Sequence, residues 1–193
     1  MALLILGLVV FLGAHSIQIF AGATRAGAIA RLGPGRWKGL YSLVSLAGFV
    51  LIIIGYGQAR ASPPLYAAPG GMAPLTFLLV TVGFICLVAA YWPANHIKRL
   101  VGDPMVLGVG LWAAGHLLVL SSPAAVTLFG AFLVWAVAEF ISLRVRARAS
   151  PPIATAAKAL NTVFVVVVGL LLAGAFIMGL HKLLIGVSPM AAN

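Results

Sequence analysis

Residues 104–138 read PMVLGVGLWAAGHLLVLSSPAAVTLFGAFLVWAVA, a stretch with no charged side chain. A helix crosses a bilayer core of about 30 Å with about 20 apolar residues, so this stretch is too long for one crossing. Ser121-Ser122-Pro123 interrupts it midway. Proline inside a helix removes a backbone donor and clashes with the preceding turn, so the stretch holds two helices, at about 104–120 and 123–143. Outward from it, charged residues bound further apolar runs that place helices at about 2–21, 40–57, 75–92 and 159–181. The expected fold is an all-α polytopic membrane protein, a bundle of six transmembrane helices.

The composition agrees. The chain has 193 residues, of which 63% are hydrophobic and 7% charged, and its mean hydropathy is +1.18. A soluble domain is about a quarter charged, so a cytosolic globular enzyme, a disordered tail and a secreted disulfide scaffold are all excluded. Cys86 is the single cysteine and leaves no intrachain disulfide. Twelve Lys and Arg against two Asp and Glu give a net charge of +10. Nucleic acid is not the expected partner, because these cations lie between apolar runs and not on a polar face. The loop after the first helix carries Arg25, Arg31, Arg36 and Lys38, the third loop Lys98 and Arg99, and the fifth Arg144, Arg146, Arg148 and Lys158. Only Arg60 and Lys182 fall elsewhere. Positive residues stay on the cytoplasmic side, so both termini are expected outside the cytoplasm. No Lys or Arg precedes Arg25, which argues against a cleaved signal peptide. Trp37, Tyr41, Tyr91 and Trp92 fall at helix ends, where aromatic rings favour the headgroup boundary. Gly7, Gly13, Gly48, Gly108, Gly115, Gly169 and Gly174 permit close helix packing.

Polar side chains inside a membrane ask for a reason. His15 is expected about 20 Å below the outer face, and His116 about 18 Å above the inner one, from the rise per residue. His181 ends the sixth helix at the outer surface, and His96 sits with Lys98 and Arg99 at the inner one. Two neutral imidazoles on different helices of an uncharged bundle suit the axial ligation of haem iron. The simpler alternative is a hydrogen bond from each to Ser, Thr or a backbone carbonyl on a neighbouring helix. Zinc usually adds Cys or carboxylate ligands, and Cys86 reads as a buried small hydrophobe. Glu139 reads as an interfacial carboxylate near Arg144, with a proton relay as the functional alternative. Asp103 reads as a helix cap before Pro104. The basic inner loops set topology and attract anionic lipid. In a sharper reading, some of Arg25, Arg36, Lys38, Lys98 and Arg99 neutralise haem propionates.

Several segments carry a resemblance: Leu12-Gly13-Ala14-His15-Ser16, the stretch from Trp37 to Phe49, Pro104-Met105-Val106-Leu107-Gly108, and Leu111-Trp112-Ala113-Ala114-Gly115-His116-Leu117-Leu118. Phe129-Gly130, Trp135-Ala136-Val137 and the stretch from His181 to Val187 add to it. The chain resembles the NnrU family over nearly its full length, as one integral membrane domain across 1–193. The resemblance implies a bacterial inner membrane, hence periplasmic termini, and a part in denitrification, the handling of nitrite and nitric oxide. The family is related to plastid zeta-carotene isomerase, which uses haem b held by histidines. That relationship implies haem b on His15 and His116 as iron ligands, with His116–His181 as the runner-up pair; Arg36 and Lys38, from the basic loops, are the expected propionate partners. Asp103 stands where the family commonly has histidine, and Val119-Leu120-Ser121 where it often has Asn-Gly.

The leading expectation is a haem-b membrane protein supporting nitrogen-oxide respiration by redox sensing or electron transfer, with membrane lipid and a respiratory or denitrification protein as partners. One alternative is a haem-dependent cis–trans isomerase of a polyene or lipid, in which reduced haem acts as a Lewis acid. The other is a cofactor-free scaffold or assembly factor.

Overall fold

The protein is seen here in a computed structural model that describes residues 1–149 and 156–191. All regular elements among them are helical: α1 (Ala2–Phe20), α2 (Gly22–Leu32), α3 (Pro34–Ala59), α4 (Ala73–Tyr91), α5 (His96–Val101), α6 (Pro104–Val119), α7 (Pro123–Ala149), α8 (Ala159–Ala175) and α9 (His181–Ile185). A π-helical turn, Phe176–Leu180, joins α8 to α9. Five segments are long and apolar enough to cross a membrane: α1, α3, α4, α7 and the continuous run Ala159–Ile185. The chain is thus a multi-pass membrane protein. α6 is apolar but has only 16 residues.

Several boundaries differ from those expected. The first basic loop is not a loop: Arg25 and Arg31 lie on α2, and Arg36 and Lys38 on the first turns of α3, which starts at Pro34 and not near residue 40. Gly33, at φ +78°, separates the two helices, and Pro34 takes the first helical turn, where its missing donor is harmless. Arginine is a good helix former, so α7 likewise runs past residue 143 to Ala149. α5 occupies the third loop, capped by the Asn95 side chain, which accepts from Lys98 N at 2.7 Å. The last span does not run as one α-helix to 181, because the π turn intervenes.

The described chain divides into two compact units. In the first, residues 1–68 and 120–142, α1 and α3 pack antiparallel through glycine. A Cβ on Gly7 would lie 2.6 Å from Ile52 N, one on Gly48 2.7 Å from Phe11 N, and one on Gly55 would overlap the backbone of Leu4. Helix backbones approach this closely only over small residues. α7 adds Phe129 against Tyr56 and Phe132 against Phe11, with ring centres 6.3 and 5.8 Å apart.

In the second unit, residues 69–119 and 143–193, α4 is the central helix. It runs antiparallel to α6, with Gly83 facing Gly108 and Thr76 facing Gly115, and antiparallel to α8, where Gly169 rests on Ile85. Trp92 covers Phe164 at 4.1 Å. Gly13 and Gly174, also expected to pack, meet nothing within 4 Å.

Candidate functional site

In the second unit, the close fit of α6 on α4 fixes the height and rotation of His116. Thr76 Oγ1, on a buried side chain, donates to Gly115 O at 2.9 Å and so ties the backbone beside His116 to α4. His116 Nδ1 lies 2.8 Å from Trp112 O, one turn back on the same helix. A carbonyl only accepts, so Nδ1 carries the proton and the neutral ring has its lone pair on Nε2.

His181 opens α9, directly after the π turn. That turn is anchored to α4 by Phe176, whose ring centre is 5.0 Å from that of Phe84. His181 Nδ1 donates to Val187 O at 2.7 Å, which selects the same tautomer. The rings of His116 and His181 have centres 6.5 Å apart and planes inclined by 17°. Two histidines 65 positions apart in the sequence thus meet in one unit with matching tautomers.

In the first unit, His15 donates from Nδ1 to Phe11 O at 2.7 Å and stacks on the Phe11 ring at 4.2 Å. Tyr41 and Trp135 complete its surroundings, with ring centres at 5.4 and 6.1 Å. His15 borders a half-open cavity of about 800 Å³ that Gln18, Arg25, Trp37, Lys38 and Tyr41 also line. Trp37 and Tyr41, expected as boundary aromatics, also line this cavity. Arg36 is exposed and lies outside this lining. The backbone partners of His15 and His116 are on their own helices, not on a neighbouring one.

Other polar residues are held by local contacts or burial. His96 makes two contacts of 2.9 Å to Thr162 Oγ1, one from its backbone N and one from Nδ1, and so fastens α5 to α8. Asn95 is buried, and its Nδ2 donates to Ala89 O and Trp92 O at 3.0 and 2.6 Å. Asp103 meets α6 through its main-chain oxygen, which accepts from Leu107 N at 3.4 Å. Glu139 is buried on α7, and Arg144 donates to Val101 O. Cys86 is buried and has no disulfide. Among the described residues no three His, Cys, Asp or Glu side chains gather to hold a bare metal ion.

Sequence reasoning missed Thr76, Gln18, the Val187 carbonyl and the π turn. Polarity inside an apolar run was an available signal for Thr76 and Gln18. No signal existed for the other two. No curated protein and no solved structure matches the chain. The family model described as NnrU protein matches residues 3–189, nearly the whole length, and the chain belongs to the NnrU family.

Proposed function

We propose that this NnrU protein is a haem-b-binding protein of the bacterial inner membrane, with His116 and His181 as the side chains that would hold the iron. One observation carries the reading: the two rings lie 6.5 Å apart and nearly parallel. Two imidazoles on one iron have ring centres about 6 Å apart, given metal–nitrogen bonds of about 2 Å. The donor set fits as well, since each ring gives its Nδ1 proton to a backbone carbonyl, at Trp112 and Val187. Such a hydrogen bond fixes the tautomer, orients the ring and raises the basicity of the ligating nitrogen. Neither imidazole adds charge to the apolar unit. Haem held there by both histidines would supply one-electron exchange, and a small ligand such as nitric oxide would find a place on it only if one histidine let go. Redox sensing or electron transfer in nitrite and nitric oxide metabolism is the role that family membership favours.

A second candidate ligand, His15 in the first unit, is favoured by a separate observation. His15 has the same tautomer and borders a cavity that contains a cation, Lys38, suited to a propionate. Arg36, also expected as a propionate partner, lies outside that cavity. In either reading the chain crosses six times, α6 included. The antiparallel packing of α6 along α4 and the basic odd-numbered loops support this topology, with both termini periplasmic.

The test is the absorption spectrum of protein purified from haem-replete cells. Wild type is expected to show a Soret band that shifts on reduction. H116A should abolish it, H181A should weaken or shift it, and H15A should leave it intact. Loss in H15A with retention in H181A would move the second ligand to His15. A colourless wild type would overturn the haem reading.

A further inference from the structure

The cavity beside His15 has features that the ligation of iron does not use. It is bounded by the end of α1, by α2 and by the first turns of α3, at the basic end of its unit. Arg25 and Lys38 both line it. The two side-chain carboxylates, Asp103 and Glu139, are not among its lining residues, so the wall itself carries positive charge, with Glu139 behind it near enough to act on Tyr41. Arg25 is half-buried, and a guanidinium withdrawn from water calls for an anionic partner.

A polar atom points the same way. Gln18 Oε1 is buried and has no hydrogen-bond partner. A buried acceptor left unmade costs about 1–3 kcal/mol, so a ligand that brings a donor to Gln18 recovers that cost. Trp37 and Tyr41 supply aromatic wall, and Ile17 and Ile29 supply aliphatic wall. The chemistry called for is an anionic oxygen head group that carries a hydroxyl, joined to an apolar tail.

We propose that the cavity formed by α1, α2 and α3 is a binding site for an anionic amphiphile, with Arg25 and Lys38 pairing its head group and Gln18 accepting from its hydroxyl. Two sources supply the anionic head and the apolar tail: an acidic phospholipid drawn from the surrounding leaflet, whose glycerol hydroxyl also meets Gln18, and a free long-chain carboxylic acid. The carboxylate of the acid pairs the two cations but only accepts hydrogen bonds and leaves Gln18 without a donor. The site is distinct from the His116–His181 pair and does not depend on it.

Native mass spectrometry of the full-length protein, released from micelles containing phosphatidylglycerol, phosphatidylcholine or oleate, tests the site. Wild type is expected to retain one phosphatidylglycerol or oleate in preference to phosphatidylcholine. The double variant R25Q/K38Q should lose about thirtyfold of that preference, about 1 kcal/mol for each of the two cations. The variant R31Q/R36Q removes the same charge from exposed positions outside the cavity and should keep the preference. Displacement of phosphatidylglycerol by oleate supports the site and names the carboxylic acid as its source; resistance to oleate supports it and names the phospholipid. No preference over phosphatidylcholine, or equal loss in the two double variants, overturns the proposal. The Soret band of wild type in the same micelles reports haem separately, so failure of one reading is distinguishable from failure of the other.

Discussion

Gly48 and Gly13 are chemically identical and stand in opposite surroundings. A Cβ on Gly48 would lie 2.7 Å from Phe11 N and 3.0 Å from its Cα, both of them backbone atoms of α1 that cannot turn away. A Cβ on Gly13 would meet nothing within 4 Å. Gly48→Ala therefore forces α1 and α3 apart at their closest contact, and overpacking of this kind costs about 1–3 kcal/mol. Gly13→Ala adds only the helix preference of alanine, up to about 1 kcal/mol in the stabilising direction. Thermal unfolding in detergent should show a lower midpoint for the first and an equal or higher midpoint for the second. Equal midpoints would contradict the α1–α3 contact. The same contact has a functional side: Phe11, held against Gly48, also accepts the His15 Nδ1 proton and stacks on its ring.

At the scale of the element, the π turn decides where His181 points. One residue more than an α-helical turn is accommodated between Phe176 and Leu180. Insertion of one alanine between Leu180 and His181, just beyond the turn, leaves the π register in place and rotates everything after it by about 100°. His181 would then leave His116. The expected outcome is helical circular dichroism like that of wild type with the haem spectrum of H181A; an unchanged haem spectrum would remove His181 from the ligand set. No residue type announces such a turn, because hydrogen-bond register inside an apolar run leaves no trace in polarity. That is why the sequence reading ran the last helix straight through to His181. The apolar runs themselves were legible, since lipid excludes charge whatever the local backbone does. Their ends were not: Arg36, Lys38 and Arg144 mark the edge of the apolar zone but are good helix formers, so α3 and α7 run past them. The histidines were legible as rare polar groups at depth. Which of them meet was not, because the separation of His116 and His181 in the chain gives no hint of their 6.5 Å approach.

For the whole molecule, the open quantity is the number of crossings, and α6 decides it. Its 16 residues span about 24 Å at the helical rise, short of a core of about 30 Å. Mismatch of this size costs only fractions of a kcal/mol per Å. α6 also lies along α4 from Gly83–Gly108 to Thr76–Gly115, so one of its faces is covered by protein. Charge supplies the stronger reason. If α6 did not cross, α7 would run the opposite way through the bilayer. Arg144, Arg146, Arg148 and Lys158 would then face the side that positive residues avoid. An even number of crossings puts the two ends of the chain on the same side, and an odd number puts them on opposite sides. Alkaline phosphatase fused after Asn193 should therefore be active, because that enzyme needs the oxidising periplasm for its disulfides. A fluorescent protein fused at the same point should be dark. Fusions truncated within 144–149, after α7 has crossed, should give the reverse pattern. An inactive phosphatase at the C-terminus, together with an active one within 144–149, would leave α6 on one side of the membrane and invert the second half of the chain.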